Sequence, residues 1–197
     1  REQYAPAFAG LRRIAIVGPV NAGKSSLYNA LLTRRSDRAV VSSVPGTTQT
    51  AQEGQAGILA IVDTPGADDV EVGRGGAPLG ERRREVALQA AADADVLLIV
   101  FDAVMGINRG ALEVYEDLRA LGKPYVVALN KIDLVGKRER EVIERTAATL
   151  GLEPAQIVPT SATEKTNLER VVLALAHVNP ELLATLGAAL PAYRAQL

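Results

Sequence analysis

Apolar runs alternate along this chain with stretches in which apolar residues recur every three or four positions. The apolar runs predict buried strands at residues 13–17, 58–62, 96–101, 125–129 and 157–159. The periodic stretches predict amphipathic helices at residues 25–32, 81–92, 110–121, 138–150 and 167–175. A polar segment at residues 49–55 is a candidate edge strand. This alternation predicts an α/β fold with a six-stranded, mostly parallel sheet and helices on both faces.

Two loops and a C-terminal stretch complete the pattern. Residues 33–50 and 66–80 lack periodicity and are rich in turn residues, and loops of this length are usually functional or disordered. Asn179 and Pro180 predict a helix cap followed by a first-turn proline, before a further apolar face at Leu182, Leu183, Leu186 and Leu190. This short C-terminal helix is expected to pack on the domain or to lead into a region beyond Leu197. We divide the chain into an N-terminal extension (1–11), a main domain (12–176) and a C-terminal helical extension (177–197).

Composition narrows the class of protein only slightly. The 197 residues are 48% hydrophobic and 23% charged, as in an ordinary globular domain. A net charge of −1 provides no bulk attraction to nucleic acid or to an anionic membrane. The absence of cysteine excludes disulfides and thiol catalysis. The single histidine, His177, is more typical of a helix end or surface than of a catalytic group.

The segment Gly18-Pro-Val-Asn-Ala-Gly-Lys-Ser25 fits the pattern GxxxxGKS between a predicted strand and a predicted helix. In such a loop, backbone N–H groups and the positive end of the helix converge on a phosphate. Lys24 would contact the β- and γ-phosphates, and the Ser25 hydroxyl is a candidate Mg²⁺ ligand. A chance glycine-rich turn is the alternative, and the strand–loop–helix context disfavours it. The candidate nucleotide-binding residues here are Asn21, Ala22, Gly23, Lys24, Ser25 and Ser26.

The segment Asp63-Thr-Pro-Gly66 follows the second predicted strand. A carboxylate at that position can orient a metal-bound water, and the Gly66 N–H can reach a γ-phosphate. Alone, the segment would be a simple turn. Because it follows the phosphate loop at a distance of about 40 residues, we interpret it as a γ-phosphate sensor and list Asp63 as a Mg²⁺ site through water.

Asn130-Lys-Ile-Asp133, after the strand at 125–129, is suited to recognising guanine. The Asp133 carboxylate can accept hydrogen bonds from N1–H and the exocyclic amine of guanine, whereas adenine would leave the carboxylate unpaired. Asn130 would contact the other edge of the base and connect loops, and the Lys131 stem would cover the ring. After the last strand, the small residues Ser161 and Ala162 would let the Ala162 N–H approach guanine O6.

These motifs, in this order, resemble the TrmE–Era–EngA branch of the translation-factor-like P-loop GTPases over about residues 12–176. The resemblance also includes Pro-Gly-Thr-Thr at residues 45–48 and the run beginning Glu81-Arg-Arg-Arg. It implies a Ras-like fold with six strands, one of them antiparallel. It also implies that Thr48 ligates Mg²⁺ and contacts the γ-phosphate, with Thr47 as the neighbouring candidate. Gln49 and Thr50 replace the usual Arg and Asp of the family, which leaves the details of this loop open.

The resemblance further implies a switch that hydrolyses GTP to GDP, with Lys24, Thr48, Asp63 and Gly66 as the catalytic candidates. Ala67 stands where Ras-like enzymes have a water-orienting Gln, so slow intrinsic turnover is expected. Several members of the branch use K⁺ held partly by a phosphate-loop Asn, here Asn21. The alternative is that Asn21 only satisfies hydrogen bonds within the loop.

Other functions and partners stay open at this point. The main alternative is a non-hydrolysing, GTP-dependent binding module. An ATP-dependent phosphotransferase would leave the segment 130–133 unexplained. Beyond guanine nucleotide and Mg²⁺, the resemblance allows an effector protein or ribonucleoprotein, a nucleotide-dependent dimer, and membrane association through a region beyond Leu197. The arginine run at 82–84 is more typical of a solvated helix face than of an RNA site. The availability of GTP favours a cytoplasmic location.

Overall fold

The computed structural model describes residues 12–32, 52–54, 59–61, 85, 88–190, 193 and 195. Six strands within these ranges form one sheet in the order β2-β3-β1-β4-β5-β6. Five strands run parallel, and β2 pairs antiparallel with β3 at the edge of the sheet. The mostly parallel sheet and the polar edge strand are therefore confirmed. The strands are β1 Ile14–Val17, β2 Gln52–Gly54, β3 Leu59–Ile61, β4 Val96–Asp102, β5 Tyr125–Asn130 and β6 Ile157–Pro159.

Within the described residues, the helices agree with the predicted periodic stretches, and local chemistry sets their ends. The Asn108 side chain caps one helix by accepting a hydrogen bond from Ala111 N at 2.8 Å. The apolar periodicity predicted that one helix ends at residue 175, but the helix continues to Val178. It ends just before Pro180, because proline disfavours a helical conformation at the preceding residue. The helices are α1 Lys24–Leu31, α2 (described at residues 85 and 88–92), α3 Arg109–Ala120, α4 Glu139–Leu150, α5 Leu168–Val178 and α6 Leu183–Ala189.

Strand β4 lies in the middle of the sheet and is buried along its whole length. Its alternate residues face opposite sides, as the two-residue period of a strand requires. Val96, Leu98 and Val100 join a cluster with residues of α1 and α5. The intervening Leu97, Ile99 and Phe101 join a second cluster with residues of α3 and α4. Helices on both faces thus explain why the sequence of β4 is continuously apolar.

The C-terminal segment packs against the first of these two clusters. Leu182, Leu186 and Leu190 are each at most 1% exposed and share that cluster with residues of α1. The segment is also connected to the chain just before β1, since the Thr185 hydroxyl accepts a hydrogen bond from Arg12 N at 2.7 Å. The Arg12 guanidinium pairs with Glu181 in addition. No helix in the described ranges has both the length and the apolarity to cross a membrane.

Truncating Leu186 to alanine tests the packing of α6. Leu186 is fully buried, so we expect its loss to lower the free energy of unfolding by about 2–4 kcal/mol. Leu183 lies on the same helix but is 44% exposed, and Leu183→Ala should change stability by no more than about 0.5 kcal/mol. Urea denaturation of both variants provides the comparison. Equal losses would contradict this packing.

Candidate functional site

Four loops meet at the carboxyl ends of the parallel strands, and three of them carry candidate residues. Parallel strands place their carboxyl ends together, and ligands of open α/β sheets bind outside those ends. The register pairs the end of β4 with the end of β5, Asp102 with Asn130, and pairs Leu129 with Pro159 of β6. The loop after β1 also reaches the carboxyl ends of the strands, since Val17 pairs with Ile99 of β4. The phosphate loop and the loops after β4, β5 and β6 therefore meet there.

The phosphate loop has a backbone path that requires glycine. Gly23 has a left-handed φ of 86° and caps the N-terminus of α1. A Cβ at Gly23 would lie 2.3 Å from the Asn130 amide nitrogen, and one at Gly18 would lie 2.2 Å from the Val100 carbonyl oxygen. Neither position has room for a side chain. Asn21, with φ 65°, adopts the left-handed conformation that Asn tolerates better than most residues.

Lys24 occupies the first position of α1 and is only 3% exposed. Its Nζ donates hydrogen bonds to the carbonyl oxygens of Gly18 at 2.8 Å and Pro19 at 2.6 Å. The side chain therefore folds back over the loop and holds a positive charge against it. Ser25 and Ser26 follow in the first turn of α1 and are partly buried, while Asn21 is exposed and Ala22 is buried. This geometry combines a cation, a helix N-terminus and a tight loop, which suits an anionic ligand.

Asn130 connects the phosphate loop to the loop after β6. Its side chain is 1% exposed; Nδ2 donates to the Ala22 carbonyl oxygen at 3.1 Å, and Oδ1 accepts from Ala162 N at 3.1 Å. The Ala162 N–H, which the sequence interpretation assigned to guanine O6, thus has a protein partner already. A base oxygen at this partly buried N–H would have to share it with Asn130.

Asp133 is brought close to the loop that contains Ser161. Ile132 N donates a hydrogen bond to the Thr160 carbonyl oxygen at 3.0 Å. Because Asp133 follows Ile132 and Ser161 follows Thr160, this bond brings the two candidate residues close together. Asp133 is exposed in a short 3₁₀ turn, Ile132–Leu134. Ser161 is fully buried, and its hydroxyl accepts a hydrogen bond from Glu164 N at 3.0 Å. Ser161 therefore shapes its own loop.

The sequence interpretation missed Asp102. This residue ends β4, is 8% exposed, and its carboxylate accepts a hydrogen bond from Lys131 Nζ at 2.6 Å. The Lys131 ammonium also donates to the Asn21 carbonyl oxygen at 2.8 Å. The sequence did contain a signal for Asp102, because it is a polar residue that ends an apolar strand. That strand lies beside two loops that carry motifs.

Several predicted site residues lie outside the described residues: Thr47, Thr48, Asp63, Gly66, Ala67 and the arginine run at 82–84. Ser25 is thus the one candidate Mg²⁺ ligand whose position is described. Within the described ranges, no group of three or more His, Cys, Asp or Glu side chains is arranged to hold a metal. His177 is exposed in the last turn of α5, beyond the last of the motifs.

Comparisons with known proteins agree with this fold and site. Residues 13–131 match the family described as 50S ribosome-binding GTPase, and residues 83–187 match the elongation factor Tu GTP binding domain. The chain is 36% identical over 174 residues to the tRNA modification GTPase MnmE of Nostoc sp., covering 84% of this chain and 34% of MnmE.

Two solved structures of Era are similar at 30% identity with a TM-score of 0.63, and each match covers 85% of this chain and 56% of Era. One is a variant of Aquifex aeolicus Era bound to GDP and AlF₄⁻, and the other is Era in complex with MgGDPNP and a segment of 16S ribosomal RNA. The chain thus spans about a third of MnmE and little more than half of Era.

The fold and the motif-bearing loops define a P-loop nucleotide-binding domain. Because the first family match covers more than half of the chain, this protein belongs to the P-loop GTPases, in the TrmE–Era–EngA branch that includes MnmE and Era. It is a guanine-nucleotide-binding protein with a Ras-like fold. The predicted family and fold class are confirmed.

Replacing Gly23 by alanine tests the contact between the two loops. The new Cβ would clash with the buried Asn130 amide and would also strain a left-handed backbone, so the free energy of unfolding should fall by at least about 2 kcal/mol. Gly122 has a similar φ of 66° but open space around it, so Gly122→Ala should cost only about 1 kcal/mol. Denaturation without nucleotide measures both. A cost for Gly23→Ala no larger than that for Gly122→Ala would rule out the clash.

Proposed function

We propose that this domain binds Mg²⁺-GTP and slowly hydrolyses it to GDP and phosphate, and that loss of the γ-phosphate switches its conformation. The main supporting observation is that Asn130 joins the phosphate loop to the loop after β6. A nucleotide held at the phosphate loop would then have its base beside the residues that specify guanine. These residues are Asn130, Lys131, Asp133, Ser161 and Ala162.

Base recognition is assigned to Asp133. Asp133 is exposed and follows Ile132, whose N–H is hydrogen-bonded to Thr160. Its carboxylate is therefore accessible to a ligand. Guanine offers two donors to one carboxylate, N1–H and the exocyclic amine, and adenine offers neither in that arrangement. A site that must leave a carboxylate unpaired with the wrong base discriminates strongly against it.

Phosphate and Mg²⁺ binding are assigned to the residues around α1. Lys24 would transfer hydrogen bonds from loop carbonyls to the β- and γ-phosphates, and Ser25 would donate its hydroxyl oxygen to Mg²⁺. An oxygen ligand at the start of α1 is chemically suited to Mg²⁺, which usually takes few protein ligands and completes its octahedron with phosphates and water. The Era complex with MgGDPNP supports Mg²⁺ and a guanine nucleotide as the ligands, without bearing on which residues hold them. Thr48 as a ligand, Asp63 through water, and Gly66 at the γ-phosphate stay predictions.

Hydrolysis requires a water to attack the γ-phosphorus while the bond to the β–γ bridging oxygen breaks, which leaves GDP and inorganic phosphate. Catalysis of this step is mostly charge neutralisation and positioning. Lys24 would supply charge, and Ala67 cannot orient the water, so slow turnover is expected. The Era complex with GDP and AlF₄⁻ supports hydrolysis in this branch. If hydrolysis is absent, the domain is a GTP-dependent binding module.

K⁺ bound beside Asn21 would supply further positive charge. Asn21 is exposed, and its backbone carbonyl oxygen accepts a hydrogen bond from Lys131. Its side-chain amide oxygen would be the atom that binds the cation. The alternative is that Asn21 is present because it tolerates the left-handed φ of 65°.

The role of Asp133 is tested by Asp133→Ala. We expect its preference for GDP over ADP to fall at least tenfold, because hydrogen bonds to a charged group contribute about 1.5–3 kcal/mol each. Isothermal titration calorimetry measures both affinities. Glu139→Ala, which removes an exposed carboxylate at the start of α4, should leave the preference intact. Undiminished selectivity in Asp133→Ala would overturn the base assignment.

Hydrolysis and its cation dependence are tested together by single-turnover measurements with saturating Mg²⁺. We expect faster turnover in K⁺ than in Na⁺. Asn21→Gly, which preserves the left-handed backbone and the carbonyl, should remove that difference. Equal rates of the unaltered protein in both salts would eliminate the K⁺ site, and no detectable phosphate in either would favour the binding module.

Partners and location rest on the family alone. The Era complex with 16S ribosomal RNA supports a ribonucleoprotein partner, although this chain spans only 56% of Era. An effector protein, a nucleotide-dependent dimer and association with a membrane through residues beyond Leu197 stay predictions. So do a cytoplasmic location and the division of the chain at residues 12 and 176.

A further inference from the structure

Asp102 uses its two carboxylate oxygens for different purposes. Oδ1 accepts hydrogen bonds from the backbone N–H groups of Val104 at 2.7 Å and Met105 at 3.2 Å, which shapes the turn after β4. Oδ2 accepts from Lys131 Nζ at 2.6 Å. The Asp102 side chain is 9% exposed and that of Lys131 is 33% exposed, so this ion pair is largely shielded from water. Pairs of this kind are much less weakened by salt than surface pairs.

Lys131 extends from the base-recognition segment to the phosphate loop. Its backbone follows Asn130 directly and precedes the turn that contains Asp133, and its ammonium contacts the Asn21 carbonyl oxygen at 2.8 Å. A free lysine side chain samples many rotamers, and fixing it costs conformational entropy. The Asp102 carboxylate holds the Lys131 ammonium in place before any nucleotide binds. It thereby offsets the entropy cost of fixing the lysine side chain.

We propose that Asp102 is a positioning residue for guanine nucleotide binding that acts through Lys131. By fixing the ammonium, it holds the lysine stem where the base would lie and holds the Asn21 carbonyl within the phosphate loop. This inference rests on the proposed function, since it requires the Lys131 stem to cover the base. It adds a residue that belongs to none of the motifs found in the sequence.

The substitution Asp102→Asn separates the two tasks of the side chain. The amide oxygen can still accept from Val104 N and Met105 N, so the turn is preserved. The amide nitrogen has no lone pair to offer the Lys131 ammonium, so that contact is lost. The variant is nearly the same size and shape as the natural residue, and it should fold.

The experiment measures the affinity and dissociation rate of fluorescent GDP for the full chain and for Asp102→Asn, Lys131→Ala and the double variant. Each single substitution should weaken GDP about tenfold, the effect of one hydrogen bond to a charged partner. If Asp102 acts through Lys131, the double variant should be no weaker than Lys131→Ala. Multiplicative losses, or unchanged affinity in Asp102→Asn, would overturn the inference.

Asp95 provides a matched control at the opposite end of β4. Its carboxylate also accepts a backbone hydrogen bond, from Arg13 N at 2.7 Å, and pairs with a cation, Arg12, at 3.5 Å. Asp95→Asn should therefore reduce stability without changing GDP affinity by more than twofold. A comparable loss of affinity in Asp95→Asn would show that the effect of Asp102→Asn is general destabilisation and would overturn the inference.

Two further readouts distinguish this inference from the proposed function. The ¹⁵Nζ resonance of Lys131 should shift in Asp102→Asn and stay in place in Asp95→Asn, which reports the ion pair directly. If Lys131→Ala weakens GDP but Asp102→Asn does not, only the role of Asp102 is wrong. If Lys131→Ala itself binds GDP normally, the role of Lys131 in the proposed function is wrong and the inference is overturned with it.

Discussion

The buried amide of Asn130 is the constraint on which the rest of the site depends. An amide group removed from water needs hydrogen-bond partners, and these partners come from the loops after β1 and β6. The two loops can meet the amide only if Gly23 has no side chain, since a Cβ there would occupy the same space. Hydrogen bonding and steric exclusion therefore fix three loops against each other, and the ligand meets a platform that is already assembled.

The core determines that these loops meet at all. Strand β4 is buried on both faces, and its neighbours run parallel to it, so polar groups gather at the strand ends. The register of β4 and β5 then places Asp102 beside Asn130, one residue before Lys131. Lys24 adds a positive charge at this end of the sheet, and the ammonium of Lys131 is paired there with the Asp102 carboxylate. The arrangement combines a rigid apolar layer with a charged rim suited to a nucleotide.

The sequence predicted the strands, the helices and the two motif-bearing loops around Lys24 and Asn130, because periodicity and motif spacing are local properties. It did not predict Asp102, whose partner Lys131 lies 29 residues away and is chosen by strand register. Likewise, the apolar face at Leu182 and Leu186 was compatible with packing on the domain or with extension beyond it. Only the three-dimensional arrangement shows that these side chains are buried.

The attachment of α6 has a practical consequence for any shortened version of this protein. A polypeptide that stopped after α5 would leave water in contact with the part of the core that Leu182, Leu186 and Leu190 now cover, and Arg12 would lose both Thr185 and Glu181. Such a fragment would keep every sequence motif yet expose an apolar surface to water, and we expect it to aggregate during purification. The last helix is thus part of the folding unit that supports the site.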